Sequence, residues 1–267
     1  MRPDGAAVSD RAGRRVVAEQ RRTAAFAETG SRYFPVLVGL FVGVMLISNV
    51  TASRPAVFFS SWLQFDLGPI HVNGLPTDGA FFLFPLAYVL GDVISEVYGF
   101  RAMRRVIALG FGILLLASAS LWVADQLPTS DPVTDAQTHE LQAAFHTVSG
   151  VIPQILIAGL AGYLVGEFLN SYVLVRMKER SGEQRLWARL IGSTIVGEAA
   201  DTVVFCAIAA PALGFTTFSS FLSYTLVGFV WKVCIEVLVM PITYAVCGWL
   251  KRREPTYGEQ LQSATNR

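Results

Sequence analysis

Apolar residues are gathered into long windows near 34–52, 79–98, 103–126, 149–175, 187–211 and 222–250, separated by short polar connections. A helix needs about 20 predominantly apolar residues to cross the hydrocarbon core of a bilayer. None of the windows shows the strict alternation of a membrane β-barrel strand. The pattern therefore predicts an all-α integral membrane protein with six transmembrane helices. A further apolar piece, "AVFFSSWLQFDLGPIHV" over 56–72, is broken by Gly, Pro and Asp and predicts a lining loop or re-entrant segment.

The polar ends read differently. Residues 1–32 are Arg-rich and lack the apolar centre of a secretory signal. Asp4, Asp10, Glu19 and Glu28 also disagree with a transit peptide. This stretch is expected to be a disordered cytoplasmic tail, followed by a six-helix domain over 33–252 and a second cytoplasmic tail over 253–267. Lys and Arg set the direction of insertion, because cytoplasmic loops carry the excess. They crowd the first tail, the connection holding Arg101, Arg104 and Arg105, the one holding Arg176, Lys178, Arg180, Arg185 and Arg189, and the end at Lys251, Arg252 and Arg253. The alternate connections hold Arg54 in the first and no Lys or Arg in 127–148 or 212–221. Both termini are expected on the cytoplasmic side, with the chain a multi-pass protein of the bacterial inner membrane.

Composition narrows the class. Of the 267 residues, 53% are hydrophobic and 15% charged, against about 25% charged in soluble domains; mean hydropathy is +0.48. A net charge of +1 gives no support to a nucleic-acid partner. Cys206, Cys234 and Cys247 lie in apolar runs without CxxC spacing, which suggests neither disulfides nor zinc. No GxxxxGK[ST] phosphate loop and no HExxH are present, so no cofactor or metal is expected.

The chemistry lies inside the apolar windows. An acid or Lys at a transmembrane helix centre costs about 2.5–3.5 kcal/mol on insertion scales. This chain carries Asp92 and Glu96, then Glu167, then Glu198 and Asp201, then Lys232 and Glu236. Members of each pair are three or four residues apart and share a helix face. They must face one another or a polar cavity. Glu96, close to the cytoplasmic end, could equally pair with Arg101 or Arg104. Asn49, Asn170, Ser193, Thr194 and Thr202 sit among these groups, and Tyr88 and Trp231 lie within a turn of the acids. Carboxylates, an amide and an aromatic wall are what a flat heterocycle with several N–H donors requires: two parallel N–H bonds to a carboxylate and a ring stacked on its face.

Two other patterns have simpler readings. Gly39 with Gly43, and Ala158, Gly162 and Gly166, put small residues four apart, which lets helices approach closely. Such a seam could join a homodimer, but packing within the bundle accounts for it with less. "VLGD" at 89–92 half-matches the GxGD of intramembrane aspartyl proteases, without the YD partner. An intramembrane enzyme using paired carboxylates is thus the weakest alternative.

Three segments then stand out together: "FPLAYVLGDVISEVYGFRAMRRVI", "RLIGSTIVGEAADTVVF" and "WKVCIEVLVMPITYAVCGWLKRRE", with "ISNVTASR" ahead of them. In this order they resemble the queuosine precursor transporter family, also called the vitamin uptake transporter (VUT) family, across about 34–254. The resemblance implies a fold similar to the substrate-binding subunits of energy-coupling-factor transporters. It also implies import of 7-deazaguanine bases such as preQ0 and preQ1 for queuosine salvage. A subunit that needs a separate ATPase module is the main alternative. Asn49, Asp92, Glu96, Glu198, Asp201, Lys232 and Glu236 fall at the family's motif positions. On the chemistry above, Glu198 and Asp201 are expected to accept from the base's donor edge, and Lys232 to meet its carbonyl or hold an acid. Tyr88 and Trp231 would stack, and Asp92 and Glu96 would serve the inner side.

Overall fold

The structure, a computed structural model, describes residues 24–51, 54–68, 70–128, 136–150, 153–209 and 217–265. Among them are the helices α1 (Phe34–Thr51), α2 (Phe84–Asp125), α3 (Ala136–Gly150), α4 (Pro153–Ser181), α5 (Leu186–Ala209), α6 (Phe218–Arg253) and α7 (Pro255–Thr265). Four short strands, β1 (Pro55–Phe58), β2 (Gln64–Leu67), β3 (Ile70–Asn73) and β4 (Leu75–Asp78), lie between α1 and α2. Five helices, α1, α2, α4, α5 and α6, are long and apolar enough to cross a membrane. Large apolar side chains such as Leu86, Leu116, Val203 and Leu238 point outward from them, as a lipid-facing surface requires.

The second and third apolar windows share one helix, α2, interrupted at Gly99. There φ is 80° and ψ 172°, a region open essentially to glycine alone. A Cβ at Gly99 would also lie 2.9 Å from the Phe26 ring. The break folds α2 back on itself. Gly91 lies against the Glu167 carboxylate and Gly110 against the Tyr163 hydroxyl, one turn apart on α4. On a straight helix those two glycines would be about 28 Å apart at 1.5 Å per residue. The two halves of α2 thus run side by side past α4, and Val93, Ile94, Val97, Met103 and Val106 from both halves enter one core with Phe41 of α1.

The segment expected to line or re-enter forms nested hairpins instead. β1 pairs antiparallel with β4, from Pro55↔Asp78 to Phe58↔Leu75. Inside it β2 pairs with β3, from Gln64↔Asn73 to Leu67↔Ile70. β3 and β4 pack against α6. Gly68, with φ 61°, follows β2 where the chain turns toward β3, and four-residue stretches of mixed polarity suit strands and not a spanning helix. The bundle itself is all-α.

α4 and α5 make the most intimate contact of the bundle. A Cβ at Gly162 would lie 2.6 Å from the Asp201 carboxylate, one at Gly166 2.7 Å from the Asp201 Cβ, and one at Gly197 2.6 Å from the Asn170 Cβ. The small-residue spacing on α4 therefore works inside the bundle, and it seats Asp201. Gly39 and Gly43 meet nothing within 4 Å.

Residues 24–32, expected as the end of a disordered tail, pack into the base of the bundle; the remainder, 1–23, lies outside the described residues. Ala25 and Ala27 are buried, and the Ala27 amide donates to the Val97 carbonyl at 2.7 Å. The Ser31 hydroxyl accepts from the Tyr33 and Phe34 amides, capping α1, and donates to Glu254 at 2.6 Å. The second expected tail is likewise mostly helix α7, with Tyr257 buried. A few apolar and hydroxyl side chains, Ala25, Ala27, Ser31 and Tyr257 among them, anchor both segments.

Candidate functional site

A cavity of about 250 Å³ opens between α1, α2, α4, α5 and α6. Tyr88 enters it from α2, Glu167 and Asn170 from α4, Glu198 and Asp201 from α5, and Trp231, Lys232 and Glu236 from α6. Asn49 of α1 and Thr77 of β4 also border it. Periodicity explains the convergence. Glu198 and Asp201, three apart, share one face of α5, and Lys232 and Glu236, four apart, share one face of α6. On α4, Gly159, Tyr163, Glu167 and Asn170 repeat at three or four residues and form a continuous stripe on the cavity wall.

Lys232 organises one side. Its Nζ lies 2.5 Å from Asp201 Oδ2 and 3.3 Å from Glu198 Oε2. The Tyr88 hydroxyl lies beside Glu198 as well. Away from Lys232, Thr194 donates to Glu236, and Asn170 Nδ2 donates to Asp92 Oδ1 at 3.0 Å. Asp92 is set behind the main wall and faces a small void with Thr194 and Glu236.

Several polar atoms on the wall are buried and take no hydrogen bond among the described residues. They are the Ser48, Tyr163 and Thr202 hydroxyls, Glu167 Oε2, Asn170 Oδ1, Glu198 Oε2 and Trp231 Nε1. A buried polar atom without a partner costs about 1–3 kcal/mol. Seven of them converging on one cavity are what a site for a polar ligand presents. Among the described residues no group of His, Cys, Asp and Glu is arranged to hold a metal ion.

Of the site residues anticipated from sequence, Asn49, Tyr88, Glu198, Asp201, Trp231, Lys232 and Glu236 border the cavity. Glu96 does not. It lies at the base of the bundle, fully buried, where Arg189 binds it in a fork through Nε at 2.8 Å and Nη2 at 2.6 Å. Lys251 reaches Glu96 Oε1 at 2.5 Å and Lys178 approaches at 3.4 Å. The partners are thus not Arg101 or Arg104. Lys178 also donates to the carbonyls of Ala25 and Glu96 and to the Tyr257 hydroxyl. Lys251 and Tyr257 both bind Glu183. Burial pushes the Glu183 carboxyl up, but Lys178 and Lys251 outweigh it and hold the group below the usual carboxylate range. The Tyr257 hydroxyl is pushed up by burial and by Glu183, so it stays protonated and donates.

Sequence reasoning weighed Glu167 without placing it in the site, and it passed over Tyr163. Their i, i+4 spacing in register with Gly159 and Asn170 was the available signal. His146 lies on α3 with Nδ1 2.7 Å from Asp125 Oδ2 and does not border the cavity.

The sequence model of the family described as "Putative vitamin uptake transporter" matches residues 78–246. The "Probable queuosine precursor transporter" of Bacillus subtilis (strain 168) is 28% identical over 155 residues, 58% of this chain and 64% of that protein. The "Queuosine precursor transporter" of Escherichia coli (strain K12) is 25% identical over 141 residues, 53% of this chain and 58% of that protein. The chain thus spans less than two thirds of the length of either relative. No solved structure matches. The matched region contains every acid of the cavity wall and Lys232, but not Asn49.

Proposed function

The chain belongs to the vitamin uptake transporter family, a family of multi-pass membrane transporters and not of enzymes, and we propose that it carries a 7-deazaguanine base, a queuosine precursor such as preQ0 or preQ1, into the cell. The observation that carries this reading is the cavity wall: acceptor carboxylates Glu198 and Asp201 beside the aromatic rings of Tyr88 and Trp231, with unbonded donors and acceptors around them. A deazaguanine offers a ring N–H and an exocyclic amine on one edge, which one carboxylate accepts in parallel. Its π-face stacks on an aromatic ring. At about 250 Å³ the cavity is at the small end of ligand pockets, and it suits a single bicyclic base in preference to a nucleotide.

The geometry supports a division of roles. Glu198, whose buried Oε2 faces Lys232 at 3.3 Å without a hydrogen bond, is the acceptor for the donor edge. Asp201 is held by Lys232 and by its glycine seat, so it fixes the ammonium that meets the base's carbonyl. Trp231 contributes its ring and its Nε1 donor. Glu96 serves the inner side through the ion cluster, which ties residues 25–31, α2, α4, α5, α6 and α7 together beneath the cavity.

The reading also orients the protein. With α2 folded back at Gly99, the bundle makes six crossings. The base that holds Ala25, Glu96, Lys178, Arg189, Lys251 and Tyr257 is the Arg- and Lys-rich cytoplasmic side, and the β-hairpins lie on the opposite one.

Binding to the purified protein tests the substrate class. preQ0, preQ1, guanine and biotin would be titrated against the wild-type protein and Glu198→Gln. A deazaguanine that binds wild type and is lost in Glu198→Gln is the expected result. Binding of none, or of biotin alone, would overturn the substrate assignment.

A further inference from the structure

The carboxylates at the cavity are not equally supplied with donors. Glu198 and Asp201 share Lys232, Glu236 accepts from Thr194, and Asp92 accepts from Asn170. Glu167 has a buried Oε2 with no hydrogen bond among the described residues, although its side chain lies on the cavity wall. Its titratable neighbours are themselves acids: Asp92 on α2 and Glu198 and Asp201 on α5. From α6, Glu236 adds a fourth, while Lys232, on the same helix, is engaged by Asp201 and Glu198. The position is built for this head group, since Gly91 leaves the space that its carboxylate fills, 3.1 Å from where a Cβ would stand.

Asn170 completes the arrangement. Its Nδ2 is committed to Asp92, which fixes the amide and turns Oδ1 the other way. That Oδ1 is buried and unbonded too. Two acceptors, Glu167 Oε2 and Asn170 Oδ1, therefore stand one turn apart on α4 with nothing to accept from. A primary ammonium carries three N–H donors and a full positive charge. It satisfies both acceptors and places a positive charge against the acid; a methyl or cyano substituent does neither.

Resting on the deazaguanine reading, we propose that Glu167 and Asn170 form an ammonium subsite, so that the cavity selects a base carrying an aminomethyl arm over its neutral analogues. The arm would project toward α4 while the ring lies between Tyr88, Trp231 and Glu198.

Equilibrium binding to the full chain in detergent would compare three probes: 7-aminomethyl-, 7-methyl- and 7-cyano-7-deazaguanine. The wild-type protein is expected to hold the aminomethyl base about tenfold or more tighter than the 7-methyl base, the scale of a close desolvated charge pair. Glu167→Gln should bring that ratio to within about twofold, and Glu167→Asp should retain part of it. Equal affinities in wild type, or a ratio that survives Glu167→Gln, would overturn the subsite. Should Glu167→Gln fail to fold, the wild-type ratio decides alone. If all three probes bind equally well, the deazaguanine reading stands and only the subsite falls. If none binds, the substrate reading fails and takes the subsite with it.

Discussion

Lys232 on α6 holds its ammonium 2.5 Å from the Asp201 carboxylate on α5, and Asp201 is seated against Gly162 and Gly166 of α4. One ion pair thus ties three helices at the wall of the cavity. Neither partner is solvated by lipid, so each depends on the other. Asp201→Asn is expected to leave Lys232 with Glu198 as its remaining carboxylate and to lower uptake by about tenfold or more, less than the ~3–5 kcal/mol that removing one partner of a fully buried pair costs, since both side chains are partly exposed. Lys232→Met should be comparably damaging. The double variant should fold better than either single one while remaining unable to transport, which thermal melts and vesicle uptake would separate. Wild-type uptake by Asp201→Asn would remove Asp201 from the site.

Trp231 offers both a ring and an N–H. Trp231→Phe keeps the ring and deletes the buried Nε1 donor. Ligand affinity should fall about three- to tenfold, the worth of one hydrogen bond at about 1 kcal/mol, and Trp231→Ala should cost more. Titration of both variants measures the split. Equal affinities for wild type and Trp231→Phe would leave stacking as the sole role of Trp231.

At the base of the bundle, Glu96→Gln would leave Arg189, Lys178 and Lys251 facing a neutral amide. Stability should fall by about 3–5 kcal/mol, since three buried or half-buried cations lose a shared partner. The loss should appear as a lower melting temperature and yield, with ligand affinity per folded molecule little changed. A selective loss of binding with an unchanged melting temperature would instead place Glu96 in the substrate path.

The same cluster predicts a pH response. Glu183 is held below the usual carboxylate range by Lys178 and Lys251. A depressed acid contributes stability that is present above its unfolded pKa, about 4.3, and is lost as pH falls through the lower folded value. The melting temperature of the wild-type protein should therefore decline as pH drops below about 4. Glu183→Gln should be less stable at neutral pH and show a shallower acid decline. Parallel acid profiles for the two proteins would count against the cluster.

Gly99→Ala tests the fold-back of α2. A side chain must adopt φ near 80° there and displace Phe26. The expected cost is about 1–3 kcal/mol from the backbone alone, so that pairing the change with Phe26→Ala should restore only part of the stability. Full rescue by Phe26→Ala would mean that crowding, and not backbone conformation, makes Gly99 necessary.

The sequence by itself determined the membrane class, the places of the apolar helices and which polar residues are costly enough to matter. Those are local properties: hydropathy over about 20 residues and spacing of three or four along a helix are readable without knowing any neighbour. Glu198, Asp201, Lys232 and Glu236 were legible for that reason, as were the small residues on α4. What surrounds an acid is not local. Glu96 and Glu167 look alike in the sequence, each a carboxylate in an apolar run. Only the fold puts Arg189, 93 residues further on, against Glu96, and leaves Glu167 facing a cavity lined by other acids. The same holds for Ala25 and Ala27, which read as tail until Lys178 and Val97 supply their partners. Burial and pairing come from segments far apart in the chain, and they decide which acids brace the bundle and which, like Glu167, keep an unbonded oxygen at the cavity wall.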